Sequence, residues 1–122
     1  MSTENTSGYK TFPATAAALA KNIRVKIDSS GEMLKAGVAD VWVGTTVGDV
    51  AASGSGTVRL RNHPGTHLMT ASAAIAAGAE LWGTADGEID DADPGSGAKI
   101  GFVALEAATT DQDIIECASA IN

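Results

Sequence analysis

Apolar and polar residues alternate along several short, separate stretches of this chain. In "IRVKI", residues 23–27, Ile23, Val25 and Ile27 fall on one side and Arg24 and Lys26 on the other. That period of two predicts a half-buried strand. "TVRLRN" (57–62) repeats it, with Val58 and Leu60 inward and Arg59 and Arg61 outward. Alternating β-branched residues at Val41, Val43 and Val47 predict a strand over 38–46. "THLMTAS" (66–72), read as a short strand, "AKIGFVALEA" (98–107) and "IIECASAI" (114–121) add three more. Gly101, inside the second of these, predicts a bulge or the close approach of another backbone.

The stretch "AIAAGAELWGTADGEI" (74–89) is ambiguous, opening like a helix and closing like a hairpin. Gly78 weakens a helix interior by roughly 1 kcal/mol relative to Ala. The expectation is therefore one helical turn at most, then a strand over 79–84, a turn at Ala85-Asp86-Gly87, and a return through "EID". "ATAAALAKN" (14–22) is too short to be stable as a lone helix and reads as a helical turn or an extended lead-in. Residues 1–13 are polar, broken by Gly8 and Pro13, and read as an arm that is flexible in isolation. "DSSG", "ASGSG", "HPG", "DADPGSG" and "TTDQD" separate the strands as turns. Seven to nine short strands predict an all-β fold, a small barrel or sandwich with an extended N-terminal arm and at most one short helix. The division is an arm and lead-in over 1–22 and a β-barrel domain over 23–122.

Composition sharpens this picture. The chain has 122 residues, the size of one domain, and only five aromatic rings: Tyr9, Phe12, Trp42, Trp82 and Phe102. A core with so few rings is thin, so help from subunit contacts is expected. Charge is uneven. Residues 1–62 sum to +2 and residues 63–122 to −9, for a net −7. An acidic chain makes a poor nucleic-acid binder, because phosphate contacts need Lys and Arg. The basic residues Lys21, Arg24, Lys26, Arg59 and Arg61 read as a solvated strand face or as a patch for an acidic protein surface. No apolar run approaches the ~20 residues of a membrane-spanning helix, and "MSTENTSGYK" has no apolar leader core, so a soluble protein made in the cytoplasm is expected.

Candidate chemistry is sparse. His63 and His67 are four apart, but Pro64 and Gly65 between them exclude a helix, and no further ligands are placed to complete a metal site. Asp86, Glu88, Asp90, Asp91 and Asp93 cluster like a hard-cation loop yet lack the EF-hand order, so a solvated acidic edge is the simpler reading. No Ser occupies a Gly-x-Ser-x-Gly elbow. Cys117 is the lone cysteine and reads as a buried apolar residue. No catalytic residue, cofactor or metal ion is therefore expected. Trp42 and Trp82 carry more information. If Val41 and Val43 face the core, alternation turns Trp42 outward; the reverse puts the indole inside. At least one of the two Trp residues is expected at a subunit contact, since exposed Trp is common in interface anchors.

The order of segments resembles a known family. An arm is followed by "IRVKI", "AGVADVWVGTT", "GTVRLR", "AIAAGAELWGTADGEI" and "IGFVALEAATTDQDIIEC". This resembles the head decoration, or capsid cement, proteins of tailed bacteriophages, over roughly residues 14 to 118. Trp42 and Trp82 stand where the resemblance leads to smaller residues. The resemblance implies a virion structural protein, made in the host cytoplasm. It would bind the outer surface of the expanded major capsid shell, as a homotrimer at local three-fold positions. The arm, through Tyr9, Lys10, Phe12 and Pro13, would meet the capsid; Trp42 and Trp82 would serve the subunit interface. The alternative is a β-barrel adaptor or structural module of a phage tail or baseplate. A lipoyl-type carrier fails on the hairpin tip, which has no Lys.

Overall fold

Every regular element is a strand. The computed structural model describes residues 7–95 and 99–120, and among these no helix occurs. The strands are β1 (Tyr9–Pro13), β2 (Arg24–Ile27), β3 (Met33–Lys35), β4 (Gly44–Thr46), β5 (Ser55–Leu60), β6 (His67–Thr70), β7 (Glu80–Gly83), β8 (Ile89–Asp90), β9 (Lys99–Ala104) and β10 (Ile114–Ser119). They form two antiparallel five-stranded sheets, ordered β1-β5-β4-β2-β3 and β6-β10-β9-β7-β8. Both sheets keep open edges, so the fold is a small β sandwich and not a closed barrel.

Local chemistry explains most boundaries. Asp28 accepts the amides of Ser30 and Glu32 at 2.9 and 3.0 Å, and Gly31 takes a left-handed conformation at φ +80°. The chain thus reverses between β2 and β3. At the β7–β8 hairpin the Thr84 amide donates to the Glu88 carbonyl at 3.0 Å, as the Asp-Gly turn predicts. Between β7 and β9 the register slips between Glu80 and Trp82, opposite Gly101 at φ +77°. This is the bulge expected from that glycine.

Two expectations needed correction, the strand over 38–46 and the flexible arm, and two open ones resolved to extended chain. The segment over 38–46 is a strand only at Gly44–Thr46. Before it, the Asp40 carboxylate takes the Gly37 amide at 2.7 Å and Lys26 at 2.8 Å, and these bonds hold a loop in place of ladder pairing. The Ala-rich run over 74–77 holds no helical turn. Ile75 and Ala108 exchange both backbone bonds at 2.9 Å, and burying Ile75 in an extended chain outweighs a weak helical preference. The lead-in is likewise extended, with Leu19 and Val50 exchanging bonds at 2.9 and 2.8 Å. Part of the expected flexible arm, Tyr9–Pro13, is strand β1, paired along its whole length to β5. Residues 1–6 lie outside the described residues.

The apolar interior is in two pieces. One cluster lies on the first sheet, around Val25, Met33, Val50 and Val58. The other lies on the second sheet, around Met69, Leu81, Ile89, Phe102 and Ile115, and it takes in Trp42. Between them runs a polar seam. The Arg24 amide donates to the Gly87 carbonyl at 2.8 Å and the Thr70 amide to the Asn22 carbonyl at 2.9 Å. The Thr45 hydroxyl meets His67 Nδ1 at 3.1 Å, and Arg61 donates to the Ile100 carbonyl at 2.8 Å. Both partners of the Thr45–His67 bond are buried, where leaving a polar group unpaired costs about 1–3 kcal/mol.

Candidate functional site

β1 is an edge strand, and it carries all four residues expected to make an external contact. Alternation splits them. Phe12 turns in, half-buried against the first sheet's cluster, with the Lys10 ammonium 5.9 Å from its ring. Tyr9 and Pro13 share the opposite side, and Tyr9 is 38% exposed. The Tyr9 ring lies edge-on to His63, centroids 4.8 Å apart, with the Arg59 guanidinium 5.8 Å away. Pro13 cannot donate a hydrogen bond, which discourages addition of another strand at this edge.

The two Trp residues differ in placement. Trp42 precedes β4 and is only 3% exposed, whereas Val41 is 85% exposed. The indole packs on Phe102, centroids 5.4 Å apart, and the Arg61 guanidinium stacks on it at 4.3 Å. This chain's own residues cover it, so the inward alternative describes Trp42. Trp82 is half-buried on the outer side of β7. Lys99 pairs with it across the ladder, holds its ammonium 5.9 Å from the ring, and is bound to Glu80 at 2.8 Å.

Arg24 departs most from its expected place. Read from the sequence as solvent-facing, it is 1% exposed. Its guanidinium donates to the Thr84 carbonyl at 3.0 Å and to the Glu88 carbonyl at 3.2 and 3.3 Å. It therefore ties β2 of one sheet to the β7–β8 hairpin of the other. Burial pushes its pKa down to about 10, with Asp40 pulling upward and Arg61 adding to the fall. The glycine opposite it, Gly83, is the signal that pattern reading missed. A Cβ there would lie 2.7 to 2.8 Å from three guanidinium atoms.

The basic residues do not form one patch. Lys26 is bound to Asp40 and Lys35 to Asp86, Arg24 is internal, and Arg61 lies on Trp42. Nor do the acidic residues converge. Asp86 meets Lys35, Glu88 accepts from Gln112, Asp91 from the Ala76 amide, and Asp93 from the Gly95 amide. Among the described residues no three His, Cys, Asp or Glu side chains are placed to hold a metal ion. The Cys117 thiol is buried and its pKa is pushed up to about 12, by burial first and by Glu106 and Glu116 next. Such a thiol is a poor nucleophile. An open cleft of about 490 Å³ beside β9 is lined in part by Arg61, Glu80, Lys99 and Val103. Among the described residues, no helix is long and apolar enough to cross a membrane.

No protein-family model matches the chain, and no curated protein matches it. Among solved structures, the chain is similar to the N base of the head fiber gp8.5 of bacteriophage phi29. The TM-score is 0.70 at 17% identity, covering 93% of this chain and 98% of that one. At that identity the likeness is one of fold, and it spans nearly the full length of both chains.

Proposed function

We propose that this chain is a structural protein of a phage head. In this reading it is a decoration protein that binds the outer surface of the expanded major capsid shell and braces it, as a homotrimer. The observation that carries the reading is the fold shared end to end with a phage head fiber base. The decoration-type segment order in the sequence supports it. β1 suits an external contact, because Tyr9, Lys10 and Pro13 are exposed on a sheet edge. Trp82 suits a subunit contact, being half-buried on the outside of the second sheet. Partners are the major capsid protein and further copies of the chain, with no nucleic acid and no membrane. The role is non-enzymatic, needing no cofactor or metal.

Co-sedimentation with expanded heads that lack the protein tests this. Deleting residues 1–13 would also uncover β5, so the double substitution Tyr9→Ala/Lys10→Glu is the cleaner partner to the full chain. Saturable binding, weakened by the substitutions, is the expected result. Binding unaffected by them keeps the decoration role and moves the contact off β1. Absence of binding to heads, with the protein found on tails, would replace this reading with a tail or baseplate adaptor.

A further inference from the structure

The two sheets follow one plan. Shifted by five strands, the order β1-β5-β4-β2-β3 becomes β6-β10-β9-β7-β8. The registers agree as well. Lys10 pairs with Val58 as His67 pairs with Cys117, and Arg24 with Thr45 as Glu80 with Val103. The parallel bridge Ala14–Met33 returns as Ala71–Ile89, and Leu19–Val50 returns as Ile75–Ala108. Left-handed backbone falls at matching turns: Asn22 with Gly78, Gly31 with Gly87, Ser53 with Gln112. The sequence keeps a trace of this, "ATAAALAKNIRVKIDSSGEM" (14–33) beside "ASAAIAAGAELWGTADGEI" (71–89). The chain is two five-stranded units in tandem, β1–β5 and β6–β10.

The units meet through unlike sides. The first gives the outer side of β2 and β4, with Arg24 and Thr45. The second gives His67 of β6 and the Thr84 and Glu88 carbonyls of the β7–β8 hairpin. Each unit therefore still shows the side that the other uses. In the second unit, Glu80 and Val103 stand where the first has Arg24 and Thr45, and both line the open cleft beside β9. Ala120, also in its lining, replaces Arg61: its amide donates to Gly101 as that of Arg61 donates to Val43, both at 2.8 Å. In the first unit, Lys10 and Phe12 stand where the second has His67 and Met69. Arg24, His67 and Met69 are each 1% exposed, whereas Glu80 and Lys10 are exposed and Phe12 is half-buried.

We propose that copies of the chain join head to tail by repeating this seam between chains. The outer side of β7 and β9, with its cleft, receives Lys10, Phe12 and the β2–β3 turn of the next copy. Such a contact uses two different sides of each chain, so it closes into a ring. It rests on the proposed homotrimer and names the surfaces that form it, with six units around the ring. The chemistry of the two free sides is complementary. Lys10 would lie over Val103 beside the Glu80 carboxylate, its cross-strand neighbour, where the seam within the chain sets His67 on Thr45 beside Arg24. The β2–β3 turn brings the exposed Ser29 and Ser30 hydroxyls, donors suited to a carboxylate. The β7–β8 hairpin brings carbonyls to a guanidinium, the same arrangement with the roles reversed. Phe12 and Ile27, half-buried on the first sheet's cluster, gain apolar cover. Trp82, on the same side of β7 as Glu80, borders the contact. Tyr9 and Pro13 point to the other side of β1 and stay with the capsid contact.

Cysteine cross-linking of the full chain tests this. Lys10→Cys/Val103→Cys is bridged with a short bis-maleimide, in solution and on expanded heads that lack the protein, and run under denaturing conditions. Covalent dimers and trimers, and nothing longer, are the expected products. The single variants Lys10→Cys and Val103→Cys should give mixed dimers when combined and none when alone. Glu32→Cys/Glu80→Cys, placed on the counterpart of the Arg24–Glu88 contact, serves if the first pair misfolds. A trimer by light scattering that yields no mixed product from either pair overturns the head-to-tail contact and leaves the homotrimer standing. Like-with-like dimers from a single variant do the same. A chain that is monomeric in solution and gives no mixed product on heads overturns both, and a ladder running past three chains overturns the closed ring.

Discussion

Replacing Gly83 by Ala should cost more than removing the arginine it faces. The arithmetic starts from Arg24→Leu. That change removes donors from the Thr84 and Glu88 carbonyls at 3.0 to 3.3 Å, and from the Gly37 carbonyl at 3.5 Å, a distance at which the bond adds little. Hydrogen bonds to a charged group contribute about 1.5–3 kcal/mol each, so the loss is about 3–6 kcal/mol. Against this stands the burial of the cation. A fall in pKa from 12.5 to about 10, at 1.36 kcal/mol per pH unit, is about 3 kcal/mol that Leu recovers. Both hairpin carbonyls also keep a backbone donor, Gly87 for Thr84 and Thr84 for Glu88. The net cost of Arg24→Leu is therefore about 0–3 kcal/mol. Gly83→Ala recovers nothing. Its Cβ would lie 2.7 to 2.8 Å from the guanidinium, forcing the group to shift and straining its bonds to the hairpin carbonyls while the charge stays buried. A cost of about 3 kcal/mol follows, falling below about 1 kcal/mol when Gly83→Ala is made in the Arg24→Leu background. Urea unfolding of the four proteins, followed by Trp fluorescence, measures the cycle. Strict additivity, or a Gly83→Ala cost under about 1 kcal/mol in the wild type, would refute the account of the seam.

His67 makes stability fall in mild acid. Burial, helped by Arg59 and His63, pushes its pKa down to about 4, below the ordinary 6.5. The unfolded chain therefore takes up a proton that the folded chain refuses. Stability should drop by about 3 kcal/mol as pH falls from 6.5 to 4, and His67→Gln should flatten that slope in urea titrations. Gly44→Ala should fail to fold, because its Cβ would collide with the Arg59 carbonyl of the adjacent strand; circular dichroism of purified protein reads this. Gly48→Ala, with nothing within 4 Å of the added atom, should lie within about 0.5 kcal/mol of wild type in the same assay. Asp113 accepts the Thr109 and Thr110 amides, and these bonds hold its carboxyl below the usual range. Asp113→Asn should raise amide exchange at Thr109 and Thr110 without moving the exchange of β6 amides.

The alternating stretches by themselves determined most strands and the all-β class, because a period of two is local chemistry. The Asp86-Gly87 turn and the Gly101 bulge were legible for the same reason: each is a backbone preference carried by one or two residues. β3, three residues long, is too short to show a period. The tertiary structure alone decided which polar residues go inside. Period-two reading sends Arg24 to solvent, and that side of β2 does leave the first sheet's apolar cluster. A second sheet then covers that side, and Gly83 and the hairpin carbonyls offer space and acceptors that no local pattern records. Trp42 followed the same rule. Alternation left it two phases, and its ring found Phe102 of β9 and the Arg61 guanidinium just past β5, so the phase that buries the indole and exposes Val41 was chosen. The edge position of β1, and the packing of His63 on Tyr9, likewise exist only in the folded chain, because they depend on pairing between segments that the sequence keeps some fifty residues apart.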